Sequence, residues 1–251
     1  MESSDSVTVV TPTTGHPNLY ALLLSVQAQT HANLTHLLVI DGPAHEARVK
    51  DVLARPRPDK HRVEVLTLPW PTGQDRFCGH RIYGAAGFLC PSRYISFLDE
   101  DNTLEPEHIE SMVITLKNSN ANWVFSFRRI VDSAGVPITV DNCESLGPLH
   151  PTVFHPTVYH VDTSCYLLPI ELSTVVAPMW YRKLAADGSN RPDCIICRYL
   201  MKHTPRSACN MRYSVNYRVG NSPTSVKADY FLTGNALMRH RYPQGLPWEK
   251  R

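Results

Sequence analysis

Four short strand-like runs, each separated from the next by a segment that contains a helix pattern, constrain this chain more than any other feature. Ser6 to Thr11 (SVTVVT), Thr35 to Ile40 (THLLVI), Arg62 to Thr67 (RVEVLT) and Arg93 to Leu98 (RYISFL) each read as a strand. Between the first two, Leu19, Leu22, Leu23 and Val26 recur at i, i+3, i+4 and i+7 and predict a helix. Residues 44–54 predict a second helix, 69–79 a loop, and His80 to Leu89 a third helix. Strand and helix alternating over short connections is the signature of a parallel sheet with crossover helices. Ligands bind such sheets beyond the carboxyl ends of the strands. The loops leaving at Pro12, Asp41 and Asp99 are therefore expected to converge on one crevice.

The second half follows a different pattern. Residues 105–116 predict a helix with Pro106 in its first turn, where proline is tolerated. Asn122 to Val131 and Val136 to Val140 predict a hairpin around Asp132-Ser133-Ala134-Gly135. Cys143 to Pro156 is rich in Pro, Gly and His and reads as a loop. Val158 to Leu168 reads as a strand, Arg191 to Lys202 as a helix and Met211 to Val219 as a strand.

Composition narrows the function. Hydrophobic residues make up 43% of the 251 and charged residues 19%, the balance of a globular chain. The formal net charge is +2, from 25 basic and 23 acidic side chains, which leaves no electrostatic footprint for nucleic acid. No run approaches the roughly 18 apolar residues that span a bilayer, although a local patch leaves room for peripheral membrane contact. The polar start, Met1 to Asp5, does not read as a secretory signal. Seven irregularly spaced Cys point to free thiols in a reducing compartment, so the cytoplasm is the expected location.

The strongest motif is Phe97-Leu98-Asp99-Glu100-Asp101-Asn102, three consecutive acids capping a hydrophobic strand. Carboxylates so placed repel one another, and a hard divalent cation compensates them while bridging to phosphate oxygens. A solvated acidic turn is the plain alternative. An EF-hand is not, because Leu104 stands where that loop needs Gly.

With that motif in place, the chain resembles family 2 glycosyltransferases of the GT-A fold. Val9-Val10-Thr11-Pro12-Thr13-Thr14 is similar to the family's opening strand and turn, and Val39-Ile40-Asp41-Gly42 to the acidic end of its second strand. Gly79 to Ala86 is similar to its Arg-bearing helix, and Tyr94 to Asp101 to the strand ending in its DxD motif. In the second half, Val161 to Leu168, Arg191 to Arg198 and Tyr217-Arg218-Val219 match more loosely.

The resemblance implies an α/β fold: a GT-A-type, mixed but mainly parallel sheet flanked by helices, with a Rossmann-like N-terminal half. It implies one domain over 1–251, with 6–117 binding the nucleotide sugar and 118–251 facing the acceptor. The implied activity is inverting transfer of a sugar from a nucleoside-diphosphate donor, with UDP the expected nucleotide. The acceptor hydroxyl would belong to a glycan, a lipid-linked sugar or a small molecule. Pro12, Thr13 and Thr14 shape the nucleotide pocket, Asp41 contacts the base, Arg81 lies near the nucleotide or diphosphate, and Asp99 and Glu100 line the donor site. Asp101 binds Mn²⁺ or Mg²⁺, and Asp193 is the general base, with Asp187 the second choice.

Other functions remain open on sequence. A sugar nucleotidyltransferase calls for a Gly-rich basic phosphate loop after the first strand, but 11–17 holds one Gly and no Lys or Arg. A noncatalytic nucleotide- or carbohydrate-binding module on the same fold is disfavoured by the acidic triplet. Asp193 is also a natural helix cap. Cys194 and Cys197 have the spacing of a metal half-site, yet no second CxxC follows, and core packing accounts for them equally. His150, His155 and His160 read as loop surface or as acceptor-site residues. Trp180 and Tyr181 read as core packing or as sugar-stacking rings.

Overall fold

The computed structural model describes residues 5–185, 191–221 and 225–249. β1 (Val7–Thr13) is buried along its whole length and forms the spine of the molecule. It pairs in parallel with β2 (Leu34–Ile40) on one side and β4 (Tyr94–Phe97) on the other. β3 (Arg62–Thr67) extends the sheet beyond β2, again in parallel. β1 runs two residues further than sequence patterning predicts, through Pro12 and Thr13. β4 stops opposite Val10, so Pro12 is flanked only by β2, where a missing N–H is tolerated.

The crossovers are α1 (Leu19–Gln27), α2 (Glu46–Leu53, after a 3₁₀ turn at Pro43–His45), and α3 (His80–Leu89). α1 buries Leu19, Leu22, Leu23 and Val26, the predicted stripe. Past β4 come β5 (Thr103–Leu104), α4 (His108–Asn118), and the hairpin of β6 (Trp123–Val131) and β7 (Pro137–Val140). β8 (Tyr166–Pro169) runs antiparallel between β4 and β6, and β9 (Ser207–Arg218) lies parallel to β6. The sheet order is β3-β2-β1-β4-β8-β6-β9-β5, with β7 paired to β6. The expected mixed, mainly parallel sheet flanked by helices is present.

One local expectation needs correction. The strand predicted over 158–168 is a strand only from Tyr166; before it lies a 3₁₀ turn, Thr163–Cys165, capped by the Asp162 carboxylate on the Ser164 N–H. Two helices show no sequence period. α5 (Ile170–Trp180) is apolar nearly all round and carries Pro178 in its last turn. α7 (Ala228–Arg241) buries Phe231, Gly234, Asn235 and Met238, a helical face whose members are not uniformly hydrophobic. α6 (Pro192–His203) forms where expected. Among the described residues no helix is long and apolar enough to cross a membrane.

Candidate active site

β4 ends at Phe97, and the acidic triplet follows in a tight turn closed by the Asn102 N–H on the Asp99 carbonyl at 3.0 Å. The three carboxylates diverge. Glu100 reaches back to the end of β1, accepting from Thr13 Oγ1 (2.6 Å), Thr14 N (3.0 Å), Thr14 Oγ1 (2.9 Å) and His16 N (3.0 Å). It shapes the turn that Pro12, Thr13 and Thr14 belong to. Asp99 Oδ1 accepts the Tyr83 hydroxyl at 2.6 Å. Burial, then the charges of Asp162 and Asp101, push Asp99 up to about 8. Asp101 Oδ2 accepts from Asn221 Nδ2 at 2.7 Å, and burial also raises its pKa.

Asp41 leaves the end of β2 and is buried. Its Oδ1 accepts Thr72 N (2.6 Å) and Thr72 Oγ1 (2.8 Å), and its Oδ2 accepts Gly73 N (2.8 Å). The carboxylate thus fastens the loop after β3 over the sheet edge. Glycine is required at two points of this junction. Gly42 has φ 105°, and a Cβ on Gly73 would stand 2.8 Å from Asp41 Oδ2 and 2.5 Å from the Cys78 carbonyl oxygen. Arg81 fastens the same loop from behind. Its guanidinium lies 3.6 Å over the Phe77 ring and 4.9 Å from the Tyr181 ring, with Nη1 3.4 Å from the Thr72 carbonyl.

These loops enclose a cavity of about 710 Å³ at the carboxyl ends of β1, β2 and β4. Pro12, Thr13, Thr14, Asp41, Asp99, Glu100 and Asp101 all line it, together with Trp70, Tyr83 and His16. Of the residues that the resemblance assigns to the donor, metal or base roles, Arg81 and Asp193 do not line it. Asp187 lies outside the described residues.

Asp193 occupies the first turn of α6, and its charge acts to raise the pKa values of both Asp99 and His80. Its Oδ2 is 2.8 Å from His160 Nε2, its Oδ1 accepts the Cys194 N–H at 2.7 Å, and Arg191 Nε lies 3.6 Å away. Burial works to raise its pKa, but His160 and Arg191 prevail and hold it well below the usual carboxylate range. Arg191 in turn donates to Glu144 Oε1 at 2.9 Å. Behind it, Arg128 sits fully buried between the rings of Tyr217 (4.2 Å) and Phe231 (5.1 Å). Arg128 holds Asp141 at 2.8 Å, Asp162 at 2.5 Å and Glu144. One ion-pair network therefore connects β6, the 141–162 segment and the start of α6.

His160, Asp193 and Cys194 bring one donor atom each within 4.8 Å of one another. A cation does not suit that point, because Arg191 Nη2 already lies 3.3 Å from Cys194 Sγ and its charge occupies the space electrostatically. Cys197 packs in the core, and all seven cysteines are free. Trp180 is likewise core, packed on Tyr83 and Phe97 with ring centroids 5.4 and 5.3 Å apart.

Sequence reasoning missed Tyr83, Asn221, Asp162 and the Arg128 network. The Arg128 signal was present as a cation within the hydrophobic run Trp123–Val131. Asn221 carried none, since its role depends on where β9 ends.

The model of the family described as "Glycosyl transferase family 2" matches residues 8–166. No curated protein sequence matches the chain. Among solved structures, Staphylococcus aureus TarS is similar, at 13% identity and TM-score 0.60 over 85% of this chain and 37% of that one. Its 1–349 fragment in complex with UDP-GlcNAc matches at 14% identity and TM-score 0.61, covering 94% of this chain and 65% of that one. The same fragment with UDP matches at 12% and TM-score 0.60, covering 94% and 71%. The chain thus spans under two thirds of the length of the first two, and at these identities the likeness is one of fold.

Proposed function

The chain belongs to glycosyl transferase family 2, and from that footing we propose that it transfers a sugar from a nucleoside-diphosphate donor, a UDP-sugar, to an acceptor hydroxyl with inversion. One observation carries the reading. The loops leaving β1, β2 and β4 meet in one cavity whose acidic end holds Asp99 and Asp101, both raised by burial. Carboxylates kept there against their own repulsion suit a ligand that brings positive charge with it. The TarS fragment complexes with UDP-GlcNAc and UDP lend UDP the preference.

The donor set is hard oxygen, which fits Mn²⁺ or Mg²⁺. Asp101 would hold the ion, oriented by Asn221, with Asp99 close by. Such an ion supplies positive charge against the diphosphate as it departs. The chain's own residues do the rest. Pro12, Thr13 and Thr14, shaped by Glu100, form the nucleotide wall, and Asp41 reads the base edge. Asp193 accepts the acceptor's proton. The acceptor oxygen bonds to the anomeric carbon as the bond from that carbon to the diphosphate oxygen breaks, and the electron pair leaves with UDP. No sugar–enzyme bond forms.

A second cavity, of about 540 Å³, is walled by Arg191, by Cys194, Ile195 and Arg198 of α6, by Tyr159 and by Tyr230, so it takes in the residues on either side of Asp193 in the chain. It is the entry for the acceptor in this scheme. Calorimetry with UDP, GDP and dTDP, with Mn²⁺ or with EDTA, tests the donor site. UDP should bind about tenfold or more tightly with the ion, and Asp101→Ala should abolish that difference. No binding of any of the three with Mn²⁺ or Mg²⁺ present contradicts the assignment.

A further inference from the structure

Three of the four tryptophans, Trp123, Trp180 and Trp248, are sealed in the core at no more than 1% exposure. Trp70 is 67% exposed, and it lines the donor cavity. The cavity's other large ring, Tyr83, is buried with its hydroxyl committed to Asp99, so it offers no open face. The β1 turn contributes Pro12, Thr13 and Thr14, and none of these presents an aromatic surface.

Trp70 is also held in place. Pro69 and Pro71 flank it and restrict its backbone. Two residues further on, Thr72 and Gly73 are fastened to Asp41. The ring is thus tied, through a short stiff segment, to the Asp41 carboxylate, which lines the same cavity. A nucleobase is a flat π-surface with a polar rim, and an indole face beside a fixed hydrogen-bond acceptor complements both.

We propose that Trp70 is the stacking platform for the donor's nucleobase, with Asp41 reading the edge of the same ring. The proposal rests on the donor-site reading above. An aromatic face is worth about 1–3 kcal/mol per stacked base, and at 1.4 kcal/mol per tenfold that is about 5- to 150-fold in affinity.

Tryptophan fluorescence and calorimetry test it. UDP with Mg²⁺ should quench the emission of the parent protein, since the other three indoles are sealed from contact with a ligand in this cavity. Trp70→Phe should keep UDP affinity within about threefold and lose the quench. Trp70→Ala should weaken UDP by about 5- to 150-fold while leaving inorganic pyrophosphate, which has no base, unchanged. Equal losses for UDP and pyrophosphate overturn the proposal. So does parent-like UDP binding by Trp70→Ala, including the case in which that variant changes only its oligomeric state through the neighbouring exposed Val65 and Leu66. A parent that binds no nucleoside diphosphate removes the donor site and the platform together, whereas normal parent binding that Trp70→Ala leaves intact removes the platform alone.

Discussion

Asp193→Asn is expected to lower turnover by about 10²–10⁴-fold, the scale of a positioned general base, while donor affinity stays near the parent's. Asn keeps the size of the side chain and can still accept the Cys194 N–H at the start of α6. It cannot take a proton. His160 and Arg191 hold Asp193 well below the usual carboxylate range, so it is charged, and ready to accept, throughout the working pH range. That grip also makes it a weaker base, so proton transfer is expected late, once the leaving diphosphate has made the attacking oxygen acidic. The competing structural role leads elsewhere. Asn is itself a good helix cap, so a purely structural Asp193 would give a variant with nearly parent rate and stability. Single-turnover kinetics with saturating donor separates the two, and a parent-like rate moves the base to another residue.

The second large effect is on stability. Arg128→Met keeps an apolar stem between Tyr217 and Phe231 but removes the only cation that touches Asp141, Glu144 and Asp162 together among the described residues. Breaking a buried ion pair from one side costs about 3–5 kcal/mol because the partner charge is stranded. At about 2–4 °C per kcal/mol for a chain of this size, the melting temperature should fall by about 10 °C. The deficit should depend on pH. Burial pushes the Glu144 pKa up, but Arg128, ahead of His160 and Arg191, brings it down to about 2 from 4.5. A group depressed in this way stabilises the fold above its unfolded value, near 4.5, and that contribution is lost as pH falls toward 2. Without Arg128 the carboxylates regain protons more easily, so the gap between variant and parent should narrow as pH drops below about 4.5. Thermal melts at pH 7.5 and pH 4 measure it. A shift under 2 °C at pH 7.5 would mean that the network carries little of the fold's stability.

The N-terminal half was legible because its elements follow the two simplest periods. Leu19, Leu22, Leu23 and Val26 mark one helix face, and SVTVVT and THLLVI are too rich in β-branched residues to be anything but strands. Once the sheet is parallel, Pro12, Asp41 and Asp99 must emerge at the same edge, and they line one cavity. The other half was harder to read. α7 buries Gly234 and Asn235 alongside Phe231 and Met238, and the Asn235 amide bonds the Val140 carbonyl at 2.7 Å. Its packing is partly polar, so hydropathy carries no period. Asp162 looked like one polar residue in a strand, and it is instead a cap and an ion-pair partner. Arg81 had a recognisable position, but its stacking on Phe77 depends on the path of a loop whose Asp75, Arg76 and Cys78 all adopt positive φ. Such a path is set by tertiary contacts, here the Arg76 carbonyl with the Leu184 N–H and Asp41 with Gly73, and no local sequence rule supplies it.

The most direct measurement is proton NMR of UDP-GlcNAc, UDP-glucose and UDP-galactose incubated with the protein and Mn²⁺, with water as the acceptor. It reads UDP release and the configuration of the first sugar formed, without knowledge of the natural acceptor. At least one of these α-linked donors should yield the β-sugar first, with the signal lost in both Asp101→Ala and Asp193→Asn. Release of the α-sugar, or no release from any of the three under conditions where UDP itself binds, would contradict metal-assisted inverting transfer with Asp193 as the base.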